Sequence, residues 1–132
     1  MGDGGRDVTY TVATDKAFDD AVRAVEEATA RRGFRVLHVH DVAQTLRDKG
    51  FEHEPLKIVE ICSARYASQV LAEDIEVSAF LPCRVSVYRD GGKTYLSALR
   101  PEVIAQFFPG PTMEAVAAEV GAIVVAIVDE AR

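Results

Sequence analysis

One β-hairpin constrains the fold of this chain more than any other stretch. Two runs of alternating residue type, 81–88 and 93–100, flank the segment Arg89-Asp90-Gly91-Gly92. Asp-Gly or Gly-Gly between two such runs is the strongest short-range signal for a hairpin, because these residues reach the positive φ angles of a two-residue turn. The sequence therefore predicts two antiparallel strands joined at this turn.

Strand alternation divides the residues of the hairpin between two faces, because successive side chains point to opposite sides of a sheet. The face predicted to meet the core carries Cys83, Val85, Val87, Thr94, Leu96 and Ala98. The opposite face carries Arg84, Ser86, Tyr88, Tyr95, Ser97 and Leu99. This second face is semi-polar, and we expect it to meet a partner or a small ligand.

Strand and helix patterns alternate along the rest of the chain. Short runs rich in β-branched residues predict strands at 8–13, 34–41 and 56–62. Apolar residues at three- and four-residue spacing predict a helix over about 16–32, capped by Thr14 or Asp15 and stopped by Gly33. Further helices are predicted at 42–49, after a cap at Ser63, over one or two turns at 101–108, and from Pro111 onward. The order β-α-β-β-α-β-β-α predicts an α+β fold, in which an antiparallel sheet has its main helices packed on one face.

Length and charge limit what the chain does. Its 132 residues suit one domain, with a flexible tail at 1–7 and a single α+β domain at 8–132. The net charge of −6 argues against nucleic acid or an anionic membrane as a partner. No signal-peptide pattern and no apolar run near the roughly 20 residues of a membrane span are present, so we expect a cytoplasmic protein. In that compartment Cys62 and Cys83 are expected to stay reduced.

Several short stretches resemble a known family. They are Thr14-Asp15-Lys16-Ala17-Phe18, Val36-Leu37-His38-Val39-His40-Asp41, Leu81-Pro82-Cys83-Arg84-Val85, Gly92-Lys93-Thr94-Tyr95, and Arg100-Pro101 followed by Ala105-Gln106-Phe107-Phe108. Together with the order of elements, these stretches resemble the family catalogued as domain of unknown function 302. The resemblance covers nearly the whole chain after the first seven residues. It implies a small α+β domain similar to the TATA-binding-protein arrangement of sheet and helices, and a homodimer, but no established activity.

Strand alternation also predicts a cluster of chemically active residues on the semi-polar face. If Leu37 and Val39 face the core, then His38 and His40 face away from it together with Val36. By the same reasoning, strand 56–62 turns its residues Glu60 and Cys62 away from the core. The candidate site therefore comprises His38, His40, Glu60, Cys62, Arg84, Tyr88, Tyr95 and Arg100.

Two interpretations of this cluster remain open. The residues pair across strands or line a dimer interface, or they form a ligand, metal or haem site with His38 and His40 as metal ligands. Two imidazoles at i and i+2 on a strand are able to approach one ion, and Glu60 and Cys62 would add further ligands. His53 lies in a connector and is expected to be solvated. The chain lacks the paired Cys-x-x-Cys spacing of a structural zinc site.

The cysteines and arginines each allow two interpretations. Cys83 is either a buried structural residue or a reactive thiol activated by Arg84. Alternation places Cys62 and Cys83 on opposite faces, which disfavours a bridge between them. Arg84 and Arg100, at one end of the hairpin, either bind an anionic group or meet carboxylates of nearby helices. The aromatic pair at 107–108 either fills the core beneath the last helix or contacts a second copy.

No catalytic set is recognisable, because neither a Ser-His-Asp arrangement nor a phosphate-binding glycine loop is present. We therefore expect a homodimeric binding module that uses the semi-polar sheet face, that requires no cofactor, and that is more readily explained as a non-enzyme. Two alternatives stay open. One is a thiol redox or sulfur-handling protein using Cys62 and Cys83. The other is a metal- or haem-binding protein using His38 and His40.

Overall fold

The fold is built on one five-stranded antiparallel sheet. The computed structural model describes residues 8–132, so the predicted tail at 1–7 lies outside the described residues. The strands are β1 (Thr9–Thr14), β2 (Arg35–Asp41), β3 (Leu56–Cys62), β4 (Cys83–Asp90) and β5 (Lys93–Leu99). They lie in the order β1-β5-β4-β3-β2, and each neighbouring pair is antiparallel.

Five α-helices are found in the described part of the chain. They are α1 (Phe18–Arg31), α2 (Val42–Asp48), α3 (Ala64–Glu73), α4 (Glu102–Phe107) and α5 (Pro111–Ala131). A 3-10 helix, Ile75–Phe80, leads from α3 towards β4. The predicted α+β fold with an antiparallel sheet is thereby confirmed.

The hairpin is confirmed residue by residue. Tyr88 pairs with Tyr95 and Asp90 pairs with Lys93, which leaves Gly91 and Gly92 as the two-residue turn. Both glycines have positive φ, +59° and +85°, the conformation that this turn requires and that other residues rarely adopt.

The main helices cover one face of the sheet, as predicted. Buried side chains of α1 and α5 pack with the side chains that β3, β4 and β5 turn towards them. Central core residues on the sheet are Val59, Ile61, Val85, Val87 and Leu96, all 0 % exposed. The predicted core face of the hairpin is therefore correct.

The C-terminal helix is more apolar than the sequence-based expectation allowed. By length and composition α5 would reach across a membrane, with a mean hydropathy of 1.7. Nine of its residues are nevertheless buried within the domain, from Met113 to Ala131. A helix that is apolar on most sides is also what a protein core requires, and α5 packs against α1, α3, α4 and the sheet.

The start of α1 differs from the prediction. Its N-cap is Ala17, which makes no side-chain hydrogen bond to the helix, so neither Thr14 nor Asp15 caps it. The Thr14 hydroxyl instead accepts a hydrogen bond from the backbone N–H of Lys16, 3.2 Å away. The predicted stop is correct, since Gly33 follows the helix with φ +78°.

A β-bulge in β2 changes which residues of this strand face the core. Val36 pairs with Ile61 and His38 pairs with Glu60, so Leu37 is the extra residue between them. Val36 and Val39 both pack against the core, whereas Leu37 is 50 % exposed. The prediction that Leu37 faces the core and Val36 faces away is therefore wrong. The outward placement of His38 and His40 is correct.

Candidate functional site

The candidate site is the side of the sheet opposite α1 and α5, which we call the outer sheet face. It carries His38, His40, Leu56, Ile58, Glu60, Arg84, Ser86, Tyr88, Tyr95, Ser97 and Leu99. None of these residues is buried, whereas most core-side residues of β3, β4 and β5 are. Five of them have large apolar or aromatic side chains, so the surface is semi-polar as predicted.

Two stacked tyrosines occupy one end of this face. The rings of Tyr88 and Tyr95 lie 5.5 Å apart between centroids, with an angle of 24° between their planes. The two residues are direct partners across β4 and β5, and Leu56 is the partner of Tyr88 on β3. Stacked aromatic pairs stabilise a sheet and provide a rigid contact surface.

An open recess of about 620 Å³ lies beside the tyrosines. The segment 52–54 forms one wall, and its acidic residues Glu52 and Glu54 flank His53. The other lining residues are Leu56, Ser86, Tyr88, Arg89, Asp90 and Ser97. Sequence reasoning placed His53 in a solvated connector and missed this recess. Antiparallel order contained the missing signal, because the segment before β3 must lie at the end of the sheet where β4 finishes.

His38, His40 and Glu60 form a compact polar cluster at the opposite side of the same face. The two imidazole rings are 4.4 Å apart between centroids and meet edge to face, at 73°. The Nε2 atom of His40 lies 2.7 Å from Oε2 of Glu60. Cross-strand pairing places Glu60 directly opposite His38. Over residues 8–132, however, no group of three or more His, Cys, Asp or Glu residues is placed so that it could hold a metal ion.

The two arginines of the candidate site have different neighbours. Arg84 is exposed on the outer sheet face, where Glu60 is its partner across β3 and β4. The guanidinium of Arg100 lies over the ring of Tyr10, 5.2 Å from its centroid. Tyr10 packs on the core side and donates a hydrogen bond of 2.6 Å to Asp129 of α5. The two alternatives for these arginines, anion binding or contact with nearby carboxylates, therefore stay open.

The two cysteines meet at one small apolar cavity of about 50 Å³. It lies between the sheet and helices α3, α4 and α5, and both Cys62 and Cys83 line it. Alternation alone, which assigns them to opposite faces, did not indicate this shared cavity. Both thiols are free.

Burial, rather than a neighbouring cation, controls the chemistry of these thiols. The pKa of Cys83 is raised to about 11, mainly by burial and also by the nearby Cys62, while Arg84 acts in the opposite direction. Burial also raises the pKa of Cys62. A thiol is nucleophilic as the thiolate, so these shifts favour the structural interpretation of Cys83 over the reactive one.

The aromatic pair at 107–108 divides between the core and the surface. Phe108 packs against the core and meets Phe80 edge to face, at 5.8 Å. Phe107 stacks on Phe80, with 6.1 Å between ring centroids, and remains 64 % exposed. Only one member of the pair therefore fills the core.

Comparison with known proteins identifies the family. A family model described as "Domain of unknown function DUF302" matches residues 10–131. The chain belongs to the DUF302 family. No curated protein matches the chain.

A solved DUF302 structure has the same fold. It is the crystal structure of an uncharacterized conserved protein DUF302 from Bacillus stearothermophilus, with 29 % sequence identity and a TM-score of 0.89. The match covers 96 % of this chain and 99 % of that chain. Membership of the DUF302 family thus fixes the fold and leaves the function open, while the likeness to the TATA-binding protein stays a prediction.

Proposed function

We propose that this DUF302 domain is a non-catalytic, homodimeric binding module of the cytoplasm, and that a second copy of the chain packs on its outer sheet face. The observation that carries the proposal is the residue content of this face. Leu56, Ile58, Tyr88, Tyr95 and Leu99 are partly exposed apolar residues on this face of a sheet whose other side is covered by helices. Removal of the apolar part of such a sheet face from water is favourable, so it stabilises association.

Charge on the outer sheet face is compatible with a two-fold dimer. In a two-fold interface the same surface patch serves both subunits, so attraction requires positive and negative groups within one patch. Arg84 and Glu60 lie on adjacent strands as direct partners. A two-fold rotation near them brings the arginine of one subunit towards the glutamate of the other. Polar Ser86 and Ser97, paired with each other, lie near the centre of the face.

The recess beside the tyrosines supports a small ligand as the second component of the proposal. Its volume of about 620 Å³ is within the range of small-molecule sites, about 300–1,000 Å³. An aromatic wall and several charged groups line it, so shape and orientation could both be selected. The ligand would bind within the dimer interface, because Ser86 and Ser97 line the recess and also lie near the centre of the face.

The test of the dimer is a charge placed at the centre of the face. Ser86→Arg places two guanidinium groups close together across a two-fold interface, and the repulsion should dissociate the dimer. The matched control is Ser68→Arg, on the exposed surface of α3. Light scattering at micromolar concentration should give a dimer for the wild type and for Ser68→Arg, and a monomer for Ser86→Arg. A monomeric wild type would refute the proposal, as would a Ser86→Arg variant that remains dimeric.

The thiol alternative has one observation in its favour and one against it. In its favour, Cys62 and Cys83 line the same cavity. Against it, burial keeps the pKa of both thiols above the ordinary value, which suppresses the thiolate needed for exchange. The binding module is therefore the better-supported function, and the reactivity of the thiols is the measurement that separates the two.

A further inference from the structure

The apolar cavity between the sheet and helices α3, α4 and α5 offers a binding site separate from the outer sheet face. We propose that this cavity binds one small, uncharged aromatic molecule, about the size of a benzene ring. The cavity lies on the helix side of the sheet, so its occupant does not compete with a second copy on the outer sheet face. The proposal is therefore independent of the homodimer.

The wall of the cavity disfavours charged and strongly polar ligands. None of the described residues that line it is charged, and nearly all of the surface that they present is apolar. In the part of the chain that the structure describes, every buried side-chain nitrogen and oxygen already has a hydrogen-bond partner. A polar group brought into the cavity would therefore lose its hydrogen bonds to water without finding new ones, which is unfavourable. An apolar ligand has no such cost.

The volume of the cavity suits a small molecule. At about 50 Å³ it is several times the roughly 10–15 Å³ that admits one water molecule. Voids larger than a water molecule are few in protein cores, and apolar ones stay dry and take up ligands such as benzene. Small side chains keep this space open, because Ala67 of α3, Ala117 of α5 and Cys83 of β4 line it where larger apolar side chains would fill it.

Sulfur atoms and aromatic rings in the wall favour an aromatic ligand over an aliphatic one. Cys62, Cys83 and Met113 all line the cavity. Their sulfur atoms are polarisable, and sulfur makes favourable contacts with aromatic rings at about 5 Å. Phe34 and Tyr66 line the cavity as well, with 6.1 Å between their ring centroids and 37° between their planes. A third ring gains contacts with such rings beyond those that come from its buried area.

The ligand enters where β3 passes into α3. Cys62, Ser63 and Tyr66 lie at this junction, line the cavity and are partly exposed. Ile61 and Val77, which also line the cavity, are 0 % exposed. The cavity therefore opens towards solvent on one side and is closed on the other, so a ligand reaches it without unfolding of the domain.

The experiment is titration of the isotope-labelled full chain with benzene, followed by NMR of the backbone amides. We expect saturable shifts at one benzene per chain, located around the cavity at residues such as Ala67, Cys83 and Ala117. Cyclohexane fills space without an aromatic face and should bind more weakly. Benzylammonium carries a charge and should not enter the cavity. These shifts require only the wild type, so they decide the proposal even if a variant does not fold.

Variants that fill the cavity provide the second measurement. Ala67→Leu and Ala117→Leu extend a side chain into the space from two different helices. Each should weaken benzene binding about tenfold or more, because the ligand enters only by displacing the new side chain. The matched control is Ala64→Leu, the same change at an exposed position of α3 that does not line the cavity, and it should leave the affinity unchanged. Circular dichroism shows whether each variant is folded.

Four results would overturn the proposal. They are the absence of saturable benzene binding to the wild type, shifts located on the outer sheet face instead of around the cavity, undiminished binding in a folded filling variant, and binding of cyclohexane or benzylammonium as tight as that of benzene. A monomeric protein that still binds benzene in the cavity would refute the dimer alone.

Discussion

Replacement of Ile61 by alanine tests the assignment of the two sheet faces. Ile61 is 0 % exposed and lies between Val36 and Cys83 in the sheet. The change removes three carbon atoms from water-excluded contact, which costs about 2.4 kcal/mol at about 0.8 kcal/mol each. If the space does not collapse, roughly 80 Å³ of new cavity at about 24 cal/mol per Å³ adds about 2 kcal/mol. We therefore expect the free energy of unfolding to fall by about 2.5–4.5 kcal/mol, with the lower value if neighbours relax into the cavity.

The assay is guanidinium unfolding followed by far-UV circular dichroism, because the chain has no tryptophan to report by fluorescence. The matched control is Ile58→Ala, three positions earlier on β3 but on the outer sheet face, where the side chain is only half-buried. It loses the same atoms and should cost about 1 kcal/mol or less in the monomer. Measurement at two protein concentrations separates dissociation from unfolding. Equal costs for the two variants, or a cost below about 1 kcal/mol for Ile61→Ala, would show that the faces are wrongly assigned.

Two further predictions follow from the pKa directions. With a pKa of about 11, Cys83 is the thiolate in only about 0.1 % of molecules at pH 8. It should therefore resist alkylation in the native protein and react on unfolding, and Cys62 should react before it. Rapid labelling of Cys83 in the native protein would contradict the prediction. Arg31 and Arg32 hold the pKa of Glu130 below its ordinary value of 4.5, so their ion pairs stabilise the folded state above that pH, and this stabilisation is lost as the pH falls through the lowered pKa. The difference in thermal stability between the wild type and Glu130→Gln should shrink on acidification to about pH 3; a difference that grows would contradict the sign.

Features that depend on neighbouring residues were predictable from the sequence. The turn at Gly91-Gly92 needs two positive φ angles, and its flanking runs alternate, so both the hairpin and its faces followed from local chemistry. The helix predicted over about 16–32 is found at Phe18–Arg31, because its apolar spacing is regular and a glycine ends it.

Features that depend on distant residues were not predictable in this way. Strand β1 pairs with β5, as in Tyr10 opposite Ala98, although most of the chain lies between them. The cavity shared by Cys62 and Cys83 arises only when α3, α4 and α5 close over the end of the sheet. Alternation describes one strand in isolation, so it cannot reveal that residues at the end of a strand line a cavity formed by other elements.

The bulge in β2 is a further feature that alternation within one strand does not show, and it shapes the candidate site. Alternation counted backwards from Val39 places Leu37 in the core, but a sheet with both Val36 and Val39 inside requires one residue that breaks the count. Without that extra residue, a strand that began with Val36 in the core would also turn His38 inward, onto Val59 and away from Glu60. The outward direction of the two histidines was therefore predicted for a partly wrong reason. What unites them with Glu60 is the bulge, a feature of the pairing between β2 and β3 that neither strand reveals alone.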